Sequence, residues 1–140
     1  MRLGSLDVYE AVEAGLAAAA VSGIPSTAYA VATGRDPLEA TYAAGSLLLP
    51  GDKRVAPLIL GAGVVHLTLS LGWALVLARV LPRRRTAAWG AAPGLGIAAL
   101  DLGIVGKRLP RMRALSLGPQ LVDHALYGAV VGAVLARRRG

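Results

Sequence analysis

The chain contains no cysteine, no phenylalanine and no asparagine, and only 16% of its 140 residues are charged. Without cysteine there is no disulfide, no thiol nucleophile and no thiolate-held iron–sulfur cluster. A typical soluble domain is about 25% charged, so the surface of an ordinary soluble fold is under-supplied here. Enzyme signatures are missing too. No G-x-S-x-G, P-loop, H-E-x-x-H or strand-borne G-x-G-x-x-G occurs, and Gly94-Leu95-Gly96 falls inside an apolar run, away from any nucleotide loop. The chain therefore reads as a non-enzyme without a cofactor.

What is present is apolar, at 55% of residues. Ala14–Gly34 and Val55–Ala78 hold no charged residue, Thr86–Gly106 holds only Asp101, and Ala114–Ala136 holds only Asp123. About 20 apolar residues at about 1.5 Å each match a hydrocarbon core of about 30 Å. Barrel strands would alternate at about 10 residues per crossing, and runs such as LILGAGVV do not alternate. In lipid every backbone polar group must be bonded internally. The fold class expected is thus all-α: one integral membrane bundle over 1–140, with four transmembrane helices at about 9–32, 55–81, 86–106 and 115–136. Pro25 should kink the first helix, because it removes a backbone donor.

Between the first two crossings lies T-G-R-D-P-L-E. Asp36 suits an N-cap, Pro37 the first helical position and Glu39 the third position of a capping box. The helix expected over 37–49 spans only about 20 Å, which fits an interfacial or re-entrant segment, with a short fifth crossing as the alternative.

The net charge is +7. The basic residues cluster at helix ends, in 83–85, 107–113 and 137–139, as they do beside membrane spans. No base-stacking aromatics accompany them, so nucleic acid is discounted and the lipid bilayer is the partner read. The first helix is preceded by Asp7, Glu10 and Glu13 against one Arg2. A secretory signal would be basic there, so the helix reads as retained. Glu10 and Glu13 complement its N-terminal dipole and are placed to pair with Arg79 or the 83–85 cluster. Two crossings separate 83–85 from 137–139, so both lie on one side. Dense arginine marks that side as cytoplasmic, which puts both termini inside. Arg2, Arg79, Arg83–Arg85 and Arg137–Arg139 then face in, while Arg35, Lys53, Arg54, Lys107, Arg108, Arg111 and Arg113 face out.

Charges inside a bilayer cost about 2.5–3.5 kcal/mol on insertion scales, so polar residues in these spans should point inward. Gln120, Asp123, His124 and Tyr127 share one helical face. His66 sits mid-span on helix two, and Asp101 on helix three. Together they form a candidate polar seam shared by helices two, three and four. Ser22, Ser26 and Tyr29 line one face of helix one. The seam is either structural, hydrogen-bonding helix to helix, or a proton site built on histidine and carboxylate. A metal held by His66, His124, Asp101 and Asp123 lacks ligand spacing. A b-type haem on the two histidines rests on two lone residues. Neither is adopted. Gly90/Gly94 and Gly128/Gly132 form two G-x-x-x-G pairs, which let backbones approach. Packing within the monomer is preferred for them, with a homo-oligomer left open.

Arginine outnumbers lysine, and alanine, glycine, leucine and valine abound, as GC-rich codons produce. The stretches GIPSTAYAVATGRDPLEA, VVHLTLSLGWALVLARVLP and VDHALYGAVVGAVLARRR resemble small four-helix inner-membrane proteins, uncharacterised in role, of actinobacteria and other GC-rich bacteria. That resemblance implies a multi-pass protein of the inner (plasma) membrane. The function expected is a structural or accessory one, with a small transporter or proton-linked permease subunit as the alternative.

Overall fold

The computed structural model describes residues 5–83 and 85–140; Arg2 and Arg84, used above in the charge distribution, lie outside them. All described elements are helical. They are α1 (Ser5–Val21), α2 (Ile24–Ala32), α3 (Glu39–Gly45), α4 (Val55–Val80), α5 (Thr86–Leu100), α6 (Pro110–Arg113) and α7 (Leu117–Arg139). Beyond α5 the chain continues as a π-helical turn, Asp101–Val105, and a 3-10 turn, Gly106–Arg108. Three rods are long and apolar enough to cross a membrane: Asp7–Ala32, Val55–Val80 and Thr86–Arg108. The fourth rod, α7, has 23 residues and therefore the length, but it is the least apolar of the four.

The rods run antiparallel. At one end α7 reaches α1 and α4: Arg138 pairs with Glu13 at 2.5 Å, and Arg139 donates to the Ala78 carbonyl and approaches Glu10 at 3.7 Å. The glutamates expected to pair with Arg79 or the 83–85 cluster pair instead with α7, because the last turn of α7 lies beside the first turns of α1. At the other end Arg35, just after α2, donates to the Ala114 carbonyl, and Arg111 of α6 stacks over Tyr42 of α3 at 5.8 Å.

α7 occupies the centre, against α5 along its length and against α1, α2 and α4. The core there is made of small or branched side chains: Ala14, Ala18, Ala74, Leu77, Val131 and Leu135. The two G-x-x-x-G pairs meet across α5 and α7. A Cβ on Gly90 would strike the Gly128 carbonyl, and one on Gly94 would strike that of His124. Only hydrogen at these positions permits the backbones to touch.

The 37–49 segment departs from expectation. Its α-helix is Glu39–Gly45, seven residues or about 10 Å. Asp36 Oδ1 does accept the Leu38 N–H at 2.8 Å, but the Glu39 N–H bonds the Asp36 carbonyl in a tighter three-residue turn. Glu39 does not complete a capping box. Arg35 attracts its carboxylate through Nε at 2.9 Å, an ion pair that outcompetes a neutral amide for the same oxygens. Pro37 lies in the turn ahead of the helix. α3 packs flat on the start of α4, where Gly45 meets the Leu58 backbone. The connection expected as a plain loop at 107–113 carries α6, and the last rod begins at Leu117, two residues later than expected.

Candidate functional site

The first rod is broken. α1 stops at Val21, Ser22 and Gly23 form a turn, and α2 starts at Ile24. Pro25 has no N–H, so the carbonyl four residues earlier loses its helical donor. A helix end leaves its last carbonyls and first N–H groups open. The N-cap of α2 is Gly23, which has no side chain to close them.

Two side chains from other rods do so. Asp123 of α7 accepts the Ser26 N–H through Oδ1 at 2.9 Å. Ser26 is the third residue of α2, and its N–H is one that an N-cap aspartate would ordinarily bind. His66 of α4 donates from Nε2 to the Ala19 carbonyl at 2.8 Å, in the last turn of α1. An acid thus faces the positive end of one half-helix, and an imidazole N–H faces the negative end of the other. Both placements suit the helix dipoles.

The remaining polar residues divide further. His124 Nδ1 lies 2.8 Å from the Gln120 carbonyl, and Nε2 lies 3.4 Å from Asp101 Oδ2. A carbonyl can only accept, so Nδ1 carries a proton. His124 thus stands between the Gln120 carbonyl on its own helix and the Asp101 carboxylate on the neighbouring rod. Asp101 opens the π-helical turn. Such wide turns re-aim side chains and are frequent at functional positions. Tyr127 donates its hydroxyl to the Ser70 carbonyl of α4. Gln120 is 9% exposed and lines a cavity of about 150 Å³ with Leu102, Met112, Arg113, Leu115 and Leu117.

The seam expected as one cluster is thus four separate contacts. Asp101 and His124 do meet across helices three and four. His66 is exposed and turns to α1, away from that pair. Asp123 and His124, adjacent in sequence, point to different rods, as a rotation of about 100° per residue requires. Among the described residues no group of three or more His, Asp or Glu side chains is placed to hold a metal ion. Sequence reasoning missed the role of helix one. The group Asp123 binds there is a backbone N–H, and only the combination of Gly23 and Pro25 signals that it is free.

At the rim, Arg54 bonds Asp52 at 2.7 Å and holds its carboxyl down at about 2. Glu39 raises the guanidinium of Arg35.

No protein-family model, curated protein or solved structure matches the chain.

Proposed function

We propose that this chain is a bacterial inner-membrane protein that crosses the bilayer four times with both termini cytoplasmic, and that its role is structural or accessory rather than catalytic. The observation carrying this reading is where the inward polar side chains end. Asp123, His66 and Tyr127 each bond a backbone group of another rod. They act as inter-rod fastenings, Asp123 and His66 at the break in the first rod and Tyr127 on the unbroken α4, as polar groups in membrane bundles do. The apolar surface supports the membrane setting: on α4, Leu60 is 72% exposed and Val64 57%. The antiparallel order of successive rods, with Arg83, Arg85 and Arg137–Arg139 at one end, supports the orientation. Reporter fusions at residue 140 and within 107–113 test it. Opposite signals are expected, and identical signals would contradict the four crossings.

A second reading, a proton-linked transporter subunit, is favoured by one observation, the approach of His124 Nε2 to Asp101 Oδ2 at 3.4 Å. Substituting His124→Gln in protein reconstituted into vesicles separates the two. A structural role leaves the proton permeability of the vesicles unchanged, whereas a transport role loses a proton flux present in the unmodified protein.

A further inference from the structure

The end of the bundle formed by the π-turn, α6 and the start of α7 carries a cavity that none of the contacts above accounts for. Its volume is about 150 Å³, below the roughly 300–1,000 Å³ of pockets for drug-sized ligands. It admits one small group. Leu102, Met112, Leu115 and Leu117 form the apolar wall, and the polar lining is Arg113 and Gln120.

Three features agree on the charge of that group. α7 begins here, and its N-cap Ser116 makes no side-chain cap. Among the described residues the Leu117 and Gly118 N–H groups have no hydrogen-bond partner, at the positive end of a 23-residue helix. Gln120 is more than nine-tenths buried, yet its side-chain amide has no hydrogen-bond partner among the described residues. Gln120 lines the cavity, where its amide has room for a partner. Arg113 is exposed and has no ion pair among the described residues. The carboxylates of this half are already engaged: Glu39 by Arg35, Asp52 by Arg54, Asp101 by His124, Asp123 by the Ser26 N–H and Asp36 by the Leu38 N–H. No internal acid is left to answer Arg113.

We infer that this cavity is an anion site for a phosphate group, held by Arg113, the Gln120 amide and the open N–H groups of α7. Helix N-termini bind phosphate in this manner, and arginine matches its geometry. The phosphate is either that of an anionic lipid headgroup or a free ion. The lipid source rests on the membrane reading above; the free ion does not.

Two probes distinguish them on the full chain. Native mass spectrometry counts lipids retained from nanodiscs of phosphatidylglycerol or of phosphatidylcholine. Titration calorimetry measures inorganic phosphate binding in detergent. The inference expects one bound anion per chain, with apparent affinity reduced at least tenfold in Arg113→Gln and in Gln120→Leu, and unchanged in Arg137→Gln at the opposite end. Retention of phosphatidylglycerol alone assigns the lipid source, and phosphate binding in detergent assigns the free ion. Should Gln120→Leu fail to fold, the exposed Arg113→Gln decides. Binding of neither probe, or equal losses in Arg113→Gln and Arg137→Gln, would overturn the site. Neither outcome bears on the fusion test of topology.

Discussion

α4 and α7 are near-equal in length and differ most in polarity. α4 has no charged residue before Arg79, yet only 22% of its most apolar stretch is buried. α7 carries Gln120, Asp123, His124 and Tyr127, and it buries more residues than any other helix, Asp123 and Gln120 among them. In a soluble protein the apolar helix goes inside. Here the order is inverted, and the inversion has a physical reason. If lipid is the solvent, an exposed leucine costs nothing, while an exposed carboxylate costs several kcal/mol. The polar helix is therefore the one that must be surrounded. α7 is the hub because it is polar.

The same glycine-to-valine change should separate the two helices most sharply. Gly128→Val on α7 drives a side chain into the Gly90 backbone and should cost about 3 kcal/mol, in the range of overpacked cores. Gly72→Val on α4 meets nothing within 4 Å and should be near neutral. Denaturation in mixed micelles measures both, and equal costs would break the comparison. A smaller effect is expected at the cap. Asp123→Ala leaves the Ser26 N–H buried without an acceptor and should cost about 2 kcal/mol. Asp123→Asn keeps an acceptor and should lose less than half of that. Amide exchange at Ser26 should accelerate in the alanine variant first. Tyr127→Phe removes one bond to the Ser70 carbonyl, for about 1 kcal/mol, read by the same denaturation.

The smallest effect lies outside both helices. The carboxyl of Asp52 is lowered to about 2 by Arg54. A lowered acid contributes stability above its unfolded value and loses it as pH falls through the folded one. The loop ahead of α4 should therefore loosen only between about pH 4 and pH 2, with no change at neutral pH. Carboxyl NMR titration of Asp52 checks this, and a midpoint near 4 would refute the pairing.

Much of this contrast was legible in the residues. Helix two was expected over 55–81 and runs Val55–Val80, because an unbroken apolar run ending at Pro82 leaves little freedom. The inward face of α7 followed from 3.6-residue periodicity, and the G-x-x-x-G pairs from the spacing of four glycines. The partner of Asp123 was not legible. Side-chain lists name His66 and Asp101 as acid–base partners, whereas the strongest claim on the carboxylate comes from a backbone N–H freed by a helix break. The π-turn at Asp101 has no composition of its own. It coincides with the tertiary contact of Asp101 with His124, which is absent from the local sequence. At 37–49 Asp36 was expected as the N-cap, yet Leu38 is the N-cap and Asp36 accepts its N–H one turn ahead of the helix, while Arg35 takes Glu39.

The central claim is that the apolar face of α4 meets lipid while the polar face of α7 meets protein. The chain has no cysteine, so a single Leu67→Cys substitution on the exposed mid-span of α4 takes a spin label without background. In reconstituted vesicles its relaxation by oxygen, which partitions into hydrocarbon, is set against relaxation by a water-soluble nickel complex. The account predicts strong relaxation by oxygen and almost none by the complex at position 67. Strong relaxation by the nickel complex there would contradict it.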